Sequence, residues 1–158
     1  MEKRLNYSTI APSWAMDMAA LGRSVQEGID GSLLYLVDIR ASQINRCSFC
    51  LDMHSKEAKI AGERELKLYH IAAWPESNLF SERERAALAL TEHLTLHPDQ
   101  GVSDDLYDAS RQHFSEKEFV ALVYGIGLIN AWNRLNAVFR TTPGAYDKMF
   151  GLDQAGLS

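Results

Sequence analysis

The sequence Cys47-Ser-Phe-Cys50-Leu-Asp-Met-His54 contains both cysteines of the chain and places a histidine four residues after the second. In a helix these three side chains stand at positions i, i+3 and i+7, so they lie along one face. Asn45 ahead of them is a good N-cap, and the residues that follow mix apolar and charged side chains at helical spacing. The stretch therefore predicts an amphipathic helix that carries two thiols and one imidazole close together.

Two thiols one helical turn apart can close into a disulfide with little backbone movement, as a redox-active dithiol does. A thiol reacts as its thiolate, and an unperturbed thiol is mostly protonated near neutral pH. Three features can lower the pKa: the positive end of the helix dipole, Arg46 beside Cys47, and His54 one turn below Cys50. His54 can also remove the thiol proton and later return it to a leaving group.

Other uses of the cysteine pair are open on sequence grounds. A structural zinc site normally takes four ligands from two such pairs, and this chain has one pair. A c-type haem needs histidine directly after the second cysteine, and Leu51 stands there, so this attachment is excluded. Two buried, inert cysteines beside a surface histidine are the simplest alternative. We expect neither a metal nor a cofactor.

Motifs beyond the dithiol extend over most of the chain. They are Leu36–His54, Ala72–Trp74, Phe80–Ala89 and Ile129–Arg134. Together they resemble the carboxymuconolactone decarboxylase superfamily, and specifically its alkylhydroperoxidase D-like (AhpD-like) branch. The resemblance implies an all-helical fold and self-association into dimers that commonly assemble further, often as trimers of dimers. It also implies peroxidase or disulfide reductase activity on a small hydroperoxide or disulfide, with a dithiol as electron donor.

The resemblance further implies a role for each site residue. It implies that Cys50 meets the peroxide, that Cys47 closes the disulfide and faces the reductant, and that His54 belongs to a proton relay. The best-characterised branch has a glutamate twelve residues before the first cysteine, where this chain has Tyr35. Tyr35, or Asp38 one turn along the same helix face, is therefore a candidate partner for His54.

Length and composition restrict the classes of protein that fit. A chain of 158 residues with 46% hydrophobic content and no linker-like segment predicts one domain over 1–158, with terminal arms at about 1–9 and 141–158. A net charge of −5 argues against nucleic acid and anionic membranes as partners. With two cysteines, no signal segment and no long apolar run, we expect a cytoplasmic protein whose thiols rest reduced.

Helical patterns recur along the chain and predict an all-α, single-domain bundle of about seven helices. The predicted helices are 11–28, 32–44, the dithiol helix to about 62, 65–74, 81–97, 103–113 and 115–140. Ser81 with Glu84, and Ser115 with Glu118, have the spacing of capping boxes. These two pairs make the starts of their helices the best defined.

The longest predicted helix carries small and polar residues among its apolar ones. Gly125, Gly127 and Ala131 indicate the close approach of another helix, from the same chain or from a neighbouring subunit. The polar residues within Asn130–Arg134 need partners if they are buried. We therefore expect a hydrogen-bond network in this part of the helix.

Two other functions are compatible with the same residues. A ring-acting decarboxylase is the sibling activity within the superfamily, but proteins of that kind do not depend on a Cys-x-x-Cys pair. A non-enzymatic thiol switch would form the same disulfide, and would change assembly or partner binding instead of turning over.

Overall fold

The computed structural model describes residues 4–157, which form nine α-helices and two 3₁₀ helices and contain no strand. The α-helices are α1 (Tyr7–Ile10), α2 (Pro12–Gln26), α3 (Gly31–Ile44), α4 (Ser48–Ile60), α5 (Glu65–His70), α6 (Glu82–Leu96), α7 (Asp104–Arg111), α8 (Glu116–Phe139) and α9 (Asp147–Phe150). The 3₁₀ helices are Ile71–Glu76 and Leu152–Ala155. The predicted all-α fold is confirmed. Among residues 4–157, no helix has the length and apolar character needed to cross a lipid bilayer.

Helix α3 is the central element, because it packs against α4, α6 and α8. Leu36, Val37 and Ile39 are almost completely buried, as expected of a helix that is apolar on several sides. Gly125 of α8 lies against α3, since a Cβ at this position would come 2.8 Å from Leu34 Cδ2. The close approach predicted at Gly125 therefore occurs within one chain.

Local capping explains most of the helix starts. The two predicted capping boxes are both formed, at the first residues of α6 and α8. Helix α3 begins slightly earlier than predicted, because the Asp30 carboxylate accepts from the Ser32 backbone N–H at 3.0 Å and caps the helix. The helix predicted over 65–74 is divided, since α5 ends at His70 and a 3₁₀ helix that includes Pro75 follows.

Both ends of the described chain pack on the bundle. The arm predicted over 1–9 is partly helical, because the Asn6 side chain caps α1 by accepting from the Ser8 N–H at 3.2 Å. Residues 1–3 of that arm lie outside the described residues. At the other end, the second 3₁₀ helix packs against α4 and buries Leu152 and Ala155. The C-terminal arm is thus part of the structure around the dithiol helix.

Candidate redox site

The two cysteines lie where the chain passes from α3 to α4. Arg46 takes a left-handed conformation with φ of 56°, which turns the chain between the helices. Cys47 is the N-cap of α4, because its Sγ accepts from the Cys50 backbone N–H at 3.4 Å. The prediction that Asn45 caps this helix was wrong, since Asn45 is the C-cap of α3. The sulfur itself occupies the position at which a helix start offers free N–H groups.

The two sulfurs are in contact. Both cysteines are free thiols, and their Sγ atoms are 2.9 Å apart. Cys50 is completely buried, whereas Cys47 is 5% exposed. The residues packed around them are Ala41, Phe49, Met53, Ile129, Trp132 and Tyr146. Cys47 is therefore the sulfur that lies nearer to solvent.

This contact separates the pKa values of the two thiols. The hydrogen bond between the sulfurs outweighs burial and lowers the pKa of Cys47 from 9.0 to about 7, with further lowering by the Cys50 backbone N–H, Asn133 and His54. The same hydrogen bond, together with burial, raises the pKa of Cys50. Cys47 is therefore the more acidic thiol of the pair, and near neutral pH it carries the greater share of the negative charge.

His54 lies among carboxylates. Its Nδ1 is 2.7 Å from Glu57 Oε2 and 3.6 Å from Asp38 Oδ2, and within residues 4–157 its ring makes no hydrogen bond to either sulfur. Burial alone would lower the pKa of His54, but the charges of Asp38 and Glu57 raise it above its ordinary value. When it is protonated, the imidazole acts on Cys47 through its charge and lowers the pKa of that thiol.

The two candidate partners of His54 differ in position. Asp38 faces the imidazole, and burial raises the pKa of its carboxyl to about 6 even though His54 opposes the shift. Tyr35 forms no hydrogen bond to His54 among the described residues, and burial followed by the charges of Glu57 and Asp38 raises the pKa of its hydroxyl. Sequence reasoning missed Glu57, although its position three residues after His54 on one helix was the available signal.

Amide side chains of α8 border the dithiol on its other side. Asn136 Nδ2 donates to Cys50 Sγ at 3.3 Å, and Asn133 Nδ2 donates to Ser42 Oγ at 3.1 Å. Asn133 also accepts at Oδ1 from Asn45 Nδ2 at 2.9 Å. The expected network is therefore present and reaches the thiols. Asn136 was not predicted to belong to the site. Its position three residues after Asn133, on the buried face of the helix, could have indicated it.

The arrangement has the parts of a two-electron thiol couple: a thiol with a lowered pKa, an adjacent thiol, a nearby imidazole and fixed amide donors. Within residues 4–157, no three side chains of His, Cys, Asp or Glu are grouped so that they could hold a metal ion. The chemistry that these groups can perform is the making and breaking of a bond between the two sulfurs.

The sequence is similar to a known family and to a protein of Bacillus subtilis. Residues 12–93 match the carboxymuconolactone decarboxylase family. The chain is also 41% identical over 137 residues to the uncharacterized protein YdfG of Bacillus subtilis (strain 168), and the match covers 86% of this chain and 93% of that protein.

Solved structures resemble the fold closely. A protein of unknown function from Agrobacterium tumefaciens, described as a candidate antioxidant defence protein AhpD, superposes with a TM-score of 0.85 at 36% identity, over 91% of this chain and 99% of that chain. An uncharacterized peroxidase-related protein with an alkylhydroperoxidase AhpD core, from Ralstonia eutropha JMP134, gives a TM-score of 0.77 at 16% identity, over 87% and 74% of the two chains. The second likeness concerns the fold alone.

Proposed function

The chain belongs to the carboxymuconolactone decarboxylase family and has an AhpD-like fold, and we propose that it is a thiol-dependent peroxidase that cycles Cys47 and Cys50 between dithiol and disulfide. The observation that carries the proposal is the contact of two free sulfurs whose pKa values are driven apart. The description of the Agrobacterium protein as a candidate for antioxidant defence points the same way. We place the cycle in the cytoplasm, where thiols are kept reduced.

In the proposed cycle, the Cys47 thiolate attacks one oxygen of a hydroperoxide and the O–O bond breaks. The sulfur becomes a sulfenic acid, and the departing alkoxide takes a proton for which His54 is the source. The Cys50 sulfur then attacks the sulfenic sulfur, which forms the disulfide and releases water. A dithiol donor restores the two thiols by exchange and itself becomes a disulfide. Each turn converts one hydroperoxide and one dithiol into an alcohol, water and a disulfide.

The order of the two sulfurs in this cycle is the reverse of the order that the resemblance implies. The hydrogen bond with Cys47 and burial raise the pKa of Cys50, whereas the pKa of Cys47 is lowered to about 7 and its sulfur lies nearer to solvent, so Cys47 is the more readily ionised thiol. A sulfenic-acid trap distinguishes the two orders. We expect rapid labelling of Cys47 in Cys50→Ser, in which the serine hydroxyl keeps a hydrogen-bond donor beside the thiolate. Faster labelling of Cys50 in Cys47→Ser would support the order implied by the resemblance.

Steady-state turnover separates this function from the sibling and non-enzymatic alternatives. Purified protein is supplied with an organic hydroperoxide and a dithiol, or with carboxymuconolactone. We expect continuous hydroperoxide consumption that needs both cysteines, and no carbon dioxide from the lactone. Carbon dioxide release that is insensitive to Cys47→Ser would identify a decarboxylase. A single oxidation event followed by a change of assembly, without turnover, would identify a thiol switch.

Reduction of a disulfide substrate is the second candidate activity. A thiol with a lowered pKa at a helix start, next to a buried second thiol, is the arrangement that thiol–disulfide exchange requires. Competition between a hydroperoxide and a small disulfide for the reduced protein ranks the two activities. Preferential oxidation by the disulfide would make reductase the better description.

We also propose that two copies of the chain associate through an apolar stripe on α8, which consists of Val120, Tyr124, Gly127 and Val138. These residues recur at helical spacing on one face, and the three larger side chains are 54%, 54% and 55% exposed. Apart from its chain neighbours and the adjoining backbone of α8, nothing in the described structure lies within 4 Å of a Cβ placed on Gly127. A second α8 can therefore approach the backbone there and cover the stripe.

The size of the particle in solution tests this association. We expect wild-type protein to elute as a dimer or as an assembly of dimers, and Tyr124→Lys to elute as a smaller species. Tyr69→Lys is the matched control, because Tyr69 is 71% exposed and lies outside the stripe. A wild-type monomer at all concentrations would contradict the association.

A further inference from the structure

The side chain of Asn136 lies against the more deeply buried sulfur and uses all of its polar atoms. Its Nδ2 donates to Cys50 Sγ at 3.3 Å and to the Trp132 backbone carbonyl at 2.9 Å. Its Oδ1 accepts from the Tyr7 hydroxyl at 3.1 Å. The amide is therefore held from three directions in an almost completely buried position.

The Trp132 carbonyl determines which way round this amide lies. A backbone carbonyl oxygen only accepts hydrogen bonds, so the atom of Asn136 that faces it must be the NH₂ group. The opposite orientation would place Oδ1 against both the carbonyl and the sulfur. The N–H that points at Cys50 is thus a consequence of the surrounding groups.

Tyr7 supports the amide from a distant part of the chain, 129 residues away. Its ring packs against Phe139, with the two ring centres 5.3 Å apart. Burial first, and then Tyr146 and the two thiols, raise the pKa of Tyr7 to about 12. The hydroxyl therefore keeps its proton near neutral pH, where the pKa of Cys47 lies, and it can donate to Asn136 there.

Cys50 needs such a donor when it carries charge. Burial and Cys47 oppose its ionisation, whereas hydrogen bonds from the amides of Asn133 and Asn136 favour it. Opening of the disulfide leaves an electron pair on the buried sulfur, and a buried thiolate without donors is strongly disfavoured. The Asn136 amide, which donates to Cys50 Sγ, therefore stabilises the charged form of this sulfur.

We propose that Asn136, positioned by Tyr7, stabilises the Cys50 thiolate as it leaves the disulfide during reduction. A thiolate of the dithiol donor attacks Cys47 Sγ and forms a new S–S bond with it. The Cys47–Cys50 bond breaks, and its electron pair stays on Cys50, towards which the Asn136 N–H points. Asn136 contacts the reacting sulfur, whereas Tyr7 is a positioning residue that acts through Asn136.

The inference rests on the proposed dithiol cycle but concerns only its reductive half, so its test uses no peroxide. The disulfide is formed with diamide, and its reduction by excess dithiothreitol is followed in wild type, Asn136→Ala and Tyr7→Phe. We expect reduction to slow about tenfold in Asn136→Ala, because a hydrogen bond to a charged group is lost. We expect a smaller slowing, about threefold, in Tyr7→Phe, which keeps the ring and removes one oxygen.

A second readout separates stabilisation of the thiolate from a packing role. In the Cys47→Ser background, the Cys50 pKa is measured by thiolate absorbance, and we expect it to rise by about one unit in Asn136→Ala and by less in Tyr7→Phe. Tyr69→Phe, at an exposed hydroxyl, is the control and should change neither quantity. An unchanged pKa and reduction rate in Tyr7→Phe, which preserves the packing, would overturn the proposal even if Asn136→Ala did not fold.

Diamide oxidation of the wild-type protein tests the proposed dithiol cycle separately from the role of Asn136. Failure of diamide to link Cys47 and Cys50 in wild type would refute the dithiol cycle. The Cys50 pKa in Cys47→Ser would still decide whether Asn136 and Tyr7 stabilise this thiolate.

Discussion

Two buried groups of ionisable side chains lie at α4, and they differ in whether opposite charges are paired. We call Lys56 with Asp52 and Asp147 the lysine centre, and the second group is the dithiol of Cys47 and Cys50. Lys56 is 6% exposed, and its Nζ lies 2.9 Å from Asp52 Oδ2 and 2.7 Å from Asp147 Oδ2. Although burial opposes it, the bonds to these two carboxylates raise the pKa of Lys56, so the charge is fixed. The two thiols have no such ion pair among the described residues, and their pKa values are shifted in opposite directions, downward for Cys47 and upward for Cys50.

The lysine centre contributes to the stability of the fold, whereas the two thiols are the groups that we propose to react. Asp52 also accepts from the Gly144 backbone N–H at 3.0 Å, so the lysine centre fastens the C-terminal arm to α4. In that arm Tyr146 packs edge-on against Phe49, with ring centres 5.8 Å apart, beside the sulfurs. The lysine centre, in which Lys56 is paired with carboxylates, thus holds the aromatic residues in place beside the sulfurs, whereas the thiols have no such ion pair among the described residues.

The largest expected effect is on turnover after loss of either sulfur. In Cys47→Ser and Cys50→Ser we expect hydroperoxide consumption to fall to the uncatalysed background, because the disulfide can no longer form. Ser48→Ala, between the two cysteines, is the control and should keep activity. Multiple turnover in both cysteine variants would mean that the sulfurs are as inert as the lysine centre.

Loss of the imidazole is expected to have the next largest effect. His54→Asn removes a cation that lowers the pKa of Cys47 and a source of protons for the leaving alkoxide. We expect the rate constant for oxidation by hydroperoxide to fall about 100-fold. The pH profile of Cys47 alkylation should move to higher pH. An unchanged rate and an unchanged pH profile would show that His54 takes no part in the reaction.

The lysine centre should affect stability without affecting reactivity. Lys56→Met leaves Asp52 and Asp147 without their shared cation, and we expect the free energy of unfolding to fall by about 2 kcal/mol, because both carboxylates are partly exposed. The control Lys59→Met, at a more exposed pair, should lose less stability than Lys56→Met. Urea unfolding measures both. A shifted pKa of Cys47 in folded Lys56→Met would show that the lysine centre also affects the reactivity of the thiols, which contradicts this prediction.

The smallest expected effect is a shift in pH dependence. The folded-state pKa of His54 lies above its ordinary value of 6.5, so its charge and the stability it contributes are complete below 6.5 and are lost as the pH rises through the folded value. Glu57→Gln removes part of the cause and should move this loss to lower pH. Histidine NMR titration measures the shift, and Glu82→Gln, at a side chain that is 82% exposed, is the control. A shift to higher pH would contradict this assignment.

Sequence reasoning succeeded where the signal is local. The capping boxes that start α6 and α8 each depend on two residues three positions apart, so the spacing alone predicts them. The all-α fold follows from periodicity and from the family motifs. The contact of Cys47 with Cys50 was likewise expected, because helical geometry brings side chains three residues apart to one face.

The rest of the site depends on tertiary structure. The start of α4 was misplaced because Cys47 itself caps the helix after a left-handed Arg46, which no common capping pattern indicates. The Tyr7 hydroxyl donates to Asn136, which is 129 residues away in the sequence. Tyr7 lies in a polar arm with few apolar neighbours, and this sequence context does not predict the contact. The family motifs did not indicate Glu57, whose Oε2 lies 2.7 Å from His54 Nδ1 in this chain.

The proposal that Cys47 and Cys50 act together as a two-electron couple can be checked by counting thiols after one equivalent of hydroperoxide is added to the reduced protein. We expect two thiols to disappear and one alcohol to appear per chain, and we expect peptide mapping to find a single bond between Cys47 and Cys50. Persistence of both thiols, or oxidation of one cysteine without a bond to the other, would contradict it.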